Sequence, residues 1–178
     1  LKHRKAMKNY KFNIFCLLVV VGLMVSCSND ENDDQIDVIT QPSLSDVTIW
    51  NGPTVTFLKS VGSDPSVAEN QDRITSRVWI TRANDGGQIY NAVLESSADK
   101  DASPAGTLWA RGTTANLQNL TFDRFRAAVE KPKDIVGEDL VLLLEEDRIA
   151  IDVKITSWSQ QQLGGFAYER SSAPAPAE

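Results

Sequence analysis

The strongest constraint on the fold is an alternation of apolar and polar residues along the chain. In the stretch RIAIDVKITSW (148–158), Ile149, Ile151, Val153 and Ile155 occupy every second position. Because successive side chains of a strand point to opposite faces, this period predicts a strand with one buried face. The continuous apolar run LVLLL (140–144) instead predicts a strand covered on both faces. Shorter alternating runs lie at 54–57, 73–82, 88–95 and 166–170.

Turn signals separate these runs and define the fold class. The stretch ANDGG (83–87) is typical of a tight hairpin, since glycine adopts positive φ without a steric penalty. Only DRFRAAVE (123–130) has the pattern of a helix, and Pro132 follows it. Short strands and little helix predict an all-β fold, a single antiparallel β-sandwich of jelly-roll or immunoglobulin-like kind with one short helix. We expect this domain to cover residues 44–172.

The first 26 residues have the pattern of a secretory signal. Five Lys and Arg residues precede an apolar run at 12–25, in which Asn13 is strongly polar. This run is shorter than the roughly 20 residues that a membrane-spanning helix needs. Met7 begins a compact version of the signal, so we expect Met7 to be the true start.

A cysteine closes this apolar run. The four residues MVSC (24–27) resemble the lipobox of bacterial lipoprotein precursors. The resemblance implies that the Cys27 sulfur receives a diacylglyceryl group, that the chain is cut before Cys27 and that the new amine is commonly acylated too. Buried lipid contributes about 0.8 kcal/mol per CH₂, so two or more acyl chains anchor a protein firmly. The alternative is an ordinary signal peptide with a chance cysteine.

An acidic stretch follows the cysteine. Residues 28–37 (SNDENDDQID) contain five acids in ten positions, which predicts an unfolded, solvated tether over 27–43. The stretch also resembles the acid-rich export signal of Bacteroidota lipoproteins. That resemblance implies a lipid-anchored protein exposed on the outer face of the outer membrane. At the other end, residues 173–178 are predicted to form a disordered tail.

Removal of the signal leaves an acidic chain without histidine. The signal holds five of the 18 Lys and Arg residues and none of the 24 Asp and Glu residues, so the mature charge is 13 − 24 = −11. This balance argues against nucleic acid as a partner, because phosphate binding requires clustered cations. His3 and Cys16 leave with the signal. Triads that need histidine, zinc sites of His/Cys type and disulfides are therefore excluded.

Three tryptophans, Trp79, Trp109 and Trp158, occupy positions where the strand alternation is polar. On an outer face their indoles could stack on sugar rings, with Arg77 and Arg111 as hydrogen-bonding neighbours. The alternative is structural packing, in which each indole N–H is satisfied by a carbonyl oxygen.

The loop DKDAS (99–103) offers oxygen atoms at alternate positions, as calcium loops do. Pro104 stands where the glycine turn of an EF-hand belongs, and Ala110 stands where its bidentate glutamate belongs. An EF-hand is therefore excluded, and no other cofactor is predicted. The candidates for a looser structural Ca²⁺ site are Asp99, Asp101, Glu138 and Asp139.

The stretches VWITRAN (78–84), GTTAN (112–116), VGEDLVLLL (136–144) and GGFAYERS (164–171) resemble a β-sandwich domain that recurs in secreted proteins of environmental bacteria. The resemblance brings no activity and no functional residue with it. The sequence predicts a non-catalytic binding module for a glycan or surface polymer. The alternative is a structural or adhesion lipoprotein that contacts another envelope or extracellular protein. A glycosidase would need a pair of carboxylates about 5–9 Å apart, and nothing in the sequence marks such a pair.

Overall fold

The computed structural model describes residues 39–85 and 87–176. Cys27, the predicted signal and the acidic stretch at 28–37 lie outside these residues. The structure confirms the all-β, sandwich-like fold, since the described residues form a six-stranded and a three-stranded sheet. The strands are β1 (Thr48–Trp50), β2 (Thr54–Lys59), β3 (Asp72–Arg73), β4 (Trp79–Arg82), β5 (Ile89–Asn91), β6 (Thr107–Arg111), β7 (Asp139–Leu144), β8 (Ile149–Trp158) and β9 (Phe166–Ser171), and the helix is α1 (Phe125–Val129). Across the ranges 39–85 and 87–176, no helix is long and apolar enough to traverse a lipid bilayer.

The larger sheet is an antiparallel meander with two additions. Strands β6, β7, β8 and β9 pair in chain order, and β2 pairs with β9 at one edge. β1 runs parallel to the first residues of β8, on the side of β8 that β9 occupies further along. This parallel pair was not predicted. The Gly52 N–H donates to the Ser172 carbonyl at 2.9 Å, so the link from β1 to β2 passes close to the end of β9.

Strand β7 lies at the centre of the packing. Residues 140–144 are at most 1% exposed, which confirms a strand covered on both faces. Leu140, Leu142 and Leu144 pack with side chains of the smaller sheet and α1 in the main core. Val141 and Leu143 belong to a second apolar cluster on the opposite face. The larger sheet is therefore the middle layer of the fold.

The segment before β1 covers this second face. Ile39, Leu44 and Val47 pack against the second cluster. The Gln41 side chain donates to the Phe122 carbonyl at 2.9 Å and accepts from the Phe122 N–H at 2.8 Å. Residues Ile39 and Gln41, which precede the predicted domain start at 44, therefore also contact the folded core.

The run at 73–82 was predicted as one strand, but it contains a chain reversal between β3 and β4. The Ile74 N–H donates to the Val78 carbonyl at 3.0 Å. Within the turn, the Thr75 hydroxyl accepts from the Arg77 N–H at 3.1 Å and from the Val78 N–H at 3.2 Å. A threonine side chain thus closes a turn that a two-residue period cannot reveal.

Other local predictions are confirmed. The hairpin at 83–87 joins β4 to β5, with the Ala83 N–H donating to the Gln88 carbonyl at 2.9 Å. The helix α1 lies inside the predicted range 123–130, although it is shorter. Strand β5 ends at Asn91, four residues before the predicted end at 95.

A buried ion pair joins the two sheets. Asp72 of β3 and Arg170 of β9 are 7% and 8% exposed. The Arg170 guanidinium donates to both Asp72 carboxylate oxygens, at 2.6 and 2.9 Å, and the Tyr168 hydroxyl donates to the same carboxylate at 2.6 Å. Burial raises the pKa of Tyr168 well above its usual value, and the Asp72 charge acts in the same direction.

Candidate functional site

The structure places Trp109 in the core, at 2% exposure. Its ring lies 5.0 Å from that of Phe125 in an edge-to-face arrangement, and its N–H donates to the Thr107 hydroxyl at 3.0 Å. The expectation that this indole lies on an outer face is therefore wrong. The polar alternation misled because both faces of β6 are covered, so that residues 107–110 are all buried.

Trp79 is half-buried, and both its indole N–H and its ring face contact other groups of the protein. Its N–H donates to the Thr75 carbonyl at 3.0 Å, and the Arg73 guanidinium lies 4.1 Å from the ring centroid. This arrangement matches the structural alternative, in which a carbonyl satisfies the indole N–H.

The two predicted arginines lie at opposite ends of β7. Arg77 pairs with Asp147 at 2.8 Å, just beyond the end of β7. Arg111 pairs with Glu138 at 2.9 Å, just before its beginning, and also donates to two carbonyl oxygens near the end of α1. A six-residue strand spans roughly 20 Å. The structure therefore does not gather the predicted arginines and tryptophans into one surface.

The candidate calcium ligands are also dispersed. Glu138 is paired with Arg111, and Asp139 is paired with Lys154 at 2.8 Å. The Asp99 carboxylate accepts from the backbone N–H of Asp101 at 2.8 Å, within its own loop. In the part of the chain that the structure describes, no three His, Cys, Asp or Glu residues are grouped so that they could hold a metal ion. Calcium binding stays a prediction without a site.

Of the three predicted tryptophans, Trp158 lines an open cavity of the described region. It is the last residue of β8 and is half-buried. The centroid of its ring lies 6.1 Å from that of Phe125 and 6.0 Å from that of Phe166. Unlike Trp79 and Trp109, it makes no indole N–H hydrogen bond to any described residue. The cavity holds about 280 Å³. We call it the basic groove, and its main lining residues are Arg82, Arg126, Lys131, Lys133, Trp158 and Ser159, with the glutamines at 160–162.

Three separate segments build the basic groove. Arg82 ends β4, the helix α1 and the turn after it supply the cations at 126–133, and the loop after β8 supplies residues 159–162. Gln161 and Gln162 have φ values of 56° and 61°. This left-handed region costs a non-glycine residue roughly 1–3 kcal/mol, so the loop needs support from its surroundings.

Arg82 supplies much of this support from a buried position, at 2% exposure. Its guanidinium donates to the carbonyls of Gly87 and Ser159 at 2.8 and 2.9 Å, and to the carbonyl of Gly165. The guanidinium carbon also lies 3.7 Å from the centroid of the Trp158 ring. Burial lowers the pKa of Arg82 to about 10, so the side chain is still charged at neutral pH.

Lys59 holds the other end of the same loop. It is fully buried, and its Nζ donates to the Asn84 side-chain oxygen at 2.9 Å and to the Gly164 carbonyl at 3.2 Å. Burial lowers the pKa of Lys59, and the neighbouring charge of Arg82 lowers it further. Neither cation has a carboxylate within 4.0 Å among the described residues. Two buried positive charges therefore lie close together beside the groove, and the more distant charge of Asp64 acts on the pKa of Lys59 in the direction opposite to burial.

The sequence did not identify these cations as functional candidates, although one signal was present. Arg82 has the same strand parity as Ile80 and Val78, which are buried at 1% and 3% exposure. A cation at an inward position is unusual and requires specific partners. The lysines Lys131 and Lys133 carried no comparable signal, because exposed lysines are common on any surface.

Comparison of the chain with models of known families, with curated proteins and with solved structures gives no match. The lipobox and the resemblance to a recurring secreted domain therefore stay predictions.

Proposed function

We propose that this chain is a non-catalytic binding module for a glycan or surface polymer, held at the cell surface by a lipid on Cys27. The observation that carries the proposal is the partly exposed Trp158 indole in the wall of the basic groove. Indoles pack well against the apolar faces of sugar rings and can donate a hydrogen bond through N–H. The hydroxyl of Ser159 and the side-chain amides at 160–162 supply the polar groups that fix a ligand's orientation.

The chemistry of the lining favours binding over catalysis. The described residues that line the groove include no carboxylate, whereas glycoside hydrolysis ordinarily uses two. Arginine, lysine, glutamine and tryptophan side chains can hold sugars and anions through charge, hydrogen bonds and stacking.

The proposed location is supported by the sequence. An apolar run ends at Cys27 and an acidic stretch follows it directly. Lipid on that cysteine would tie the domain to the outer membrane, and the acidic stretch would hold it away from the bilayer.

A second candidate function is adhesion through strand β2, and one observation favours it. Among the described strands, β2 pairs only with β9 and so leaves one edge open. Val55 and Leu58 of this strand are 37% and 63% exposed, and the nearby Val61 is 57% exposed. An exposed strand edge can accept a strand from another protein.

A glycan array distinguishes these functions. The full-length chain, purified in detergent, is compared with Trp158→Ala and with Trp79→Ala as the matched tryptophan control. Loss of a central aromatic contact commonly costs about 2 kcal/mol or more, so Trp158→Ala should bind at least about tenfold more weakly. Trp79→Ala should bind like the unmodified chain. Absence of any glycan ligand, or unchanged binding by Trp158→Ala, would overturn the proposal.

A further inference from the structure

We infer that the basic groove takes an anionic glycan, one whose sugar rings carry carboxylate or sulfate groups. This inference rests on the proposed function and specifies its substrate class. Four cationic side chains line the groove, Arg82, Arg126, Lys131 and Lys133, and none of the described lining residues is acidic. The chain as a whole has a formal net charge of −6. The groove is therefore positively charged although the protein is negatively charged overall.

The cations of the groove differ from cations elsewhere in their pairing. In the ranges 39–85 and 87–176, none of the four forms an ion pair with a carboxylate. Six cations outside the groove each have a carboxylate within 4.0 Å, namely Arg77, Lys100, Arg111, Arg148, Lys154 and Arg170. An acidic chain has enough carboxylates to neutralise its cations, and among the described residues they pair with most of the cations outside the groove, Lys59 and Arg73 being exceptions. The groove is left with charge that a ligand can satisfy.

The two buried cations strengthen this preference. Arg82 and Lys59 are 2% and 0% exposed and are held by neutral acceptors such as backbone carbonyls. Charges removed from water interact more strongly with a nearby ion, because the surrounding medium screens them less. Arg82 is itself part of the groove wall. An anion that enters would therefore compensate the charge of Arg82, which has no carboxylate within 4.0 Å in the ranges 39–85 and 87–176.

The dimensions and surroundings of the groove favour a glycan over other polyanions. A volume of about 280 Å³ is at the lower end of ligand pockets and suits one or two sugar rings. Nucleic acid binds along an extended basic surface, whereas the rest of this chain is acidic. Trp158 and the glutamine amides add contacts for ring faces and hydroxyls, which an inorganic anion would not use.

Matched pairs of polymers test the charge requirement. Polygalacturonate is compared with its methyl-esterified form, and dextran sulfate with dextran, so that each pair shares a backbone and differs in charge. Binding of the full-length chain is measured by titration calorimetry. We expect at least one charged polymer to bind about tenfold or more tightly than its neutral counterpart, and to weaken as salt is added. The carboxylate and sulfate pairs distinguish the two anionic groups.

Charge-reversal variants locate the binding. Lys131→Glu and Lys133→Glu alter exposed side chains of the groove, and Lys100→Glu makes the same charge change at an exposed lysine outside it. Each groove variant should weaken binding of the charged polymer by about fivefold or more, and Lys100→Glu by less than about twofold. Circular dichroism melts check that all three variants fold.

The outcomes separate this inference from the proposed function. Equal binding of charged and neutral polymers overturns the anionic requirement but leaves glycan binding standing. Equal losses in Lys100→Glu and Lys131→Glu would show unspecific charge attraction and would overturn the groove as the site. Failure of both charged polymers to bind overturns the inference, and failure of every glycan on the array overturns both proposals. Tighter binding of duplex DNA than of any charged glycan would overturn the choice of ligand.

Discussion

The ion pair between Asp72 and Arg170 offers the sharpest test of how the two sheets are held together. Arg170→Met replaces the cation with an apolar side chain of similar length. The change leaves the Asp72 carboxylate, at 7% exposure, with the Tyr168 hydroxyl as its remaining side-chain donor. Removal of one partner from a buried pair commonly costs about 3–5 kcal/mol. Since whole domains are stable by about 5–15 kcal/mol, much of the free energy of unfolding should be lost.

Urea unfolding followed by circular dichroism measures this loss. Lys154→Met is the matched control, because Lys154 also lies in the larger sheet but pairs with Asp139 in an exposed position, with the two side chains 43% and 54% exposed. An exposed pair contributes about 0–1 kcal/mol. The double variant Asp72→Asn/Arg170→Met should be more stable than Arg170→Met alone, because it leaves no buried charge unpaired. Equal losses for Arg170→Met and Lys154→Met would refute the reasoning.

Three further predictions follow from the described geometry. Burial raises the pKa of Tyr168 well above 10.0, whereas an unfolded tyrosine ionises near pH 10. The free energy of unfolding should therefore fall as the pH rises above about 10, and urea titrations of Tyr168→Phe should show a smaller fall; an unchanged slope would contradict this. Gly164 and Gly62 have nearly equal φ values, 70° and 71°. A Cβ added at Gly164 would lie 1.9 Å from the side-chain oxygen of Asn84, whereas a Cβ added at Gly62 would meet no atom within 4 Å. Gly164→Ala should therefore be less stable than Gly62→Ala by about 1–3 kcal/mol in thermal melts, and equal losses would show that the loop yields to the clash. Acrylamide should quench part of the tryptophan fluorescence. Trp158→Phe should lower the intensity that acrylamide quenches, whereas Trp109→Phe should leave that intensity unchanged, because Trp109 is 2% exposed. The reverse result would show that the indole accessible to acrylamide is not that of Trp158.

The elements that the sequence predicted well are those whose burial follows the local apolar pattern of the chain. Strand β8 follows its alternation through most of its length, and β7 is covered on both faces as its unbroken apolar run indicated. The turn inside 73–82 was missed because a side chain, Thr75, closes it while the alternation continues through it. The parallel pair between β1 and β8 was missed because pairing between distant segments leaves no trace in a local pattern.

Of the basic groove, the sequence predicted Trp158 but not the cations around it, because a local pattern does not show which segments meet in space. Alternation identifies which residues share a face, but it does not show whether that face meets water. Trp109 and Trp158 have the same kind of polar neighbours, yet the first is buried between layers and the second lines a groove. The cations that surround Trp158 come from segments near residues 82 and 126–133. Only the fold brings these segments together.

Nuclear magnetic resonance tests the binding site most directly. The ¹⁵N-labelled chain is titrated with an oligosaccharide of the charged polymer that binds in calorimetry, galacturonic acid or sulfated dextran, and the shifts of the indole and backbone N–H groups are followed. Binding in the basic groove predicts shift changes concentrated at the Trp158 indole and the amides of residues 159–163, with much smaller changes at the indoles of Trp79 and Trp109. Changes concentrated around Trp79 or along β2, or no changes at a saturating sugar concentration, would contradict it.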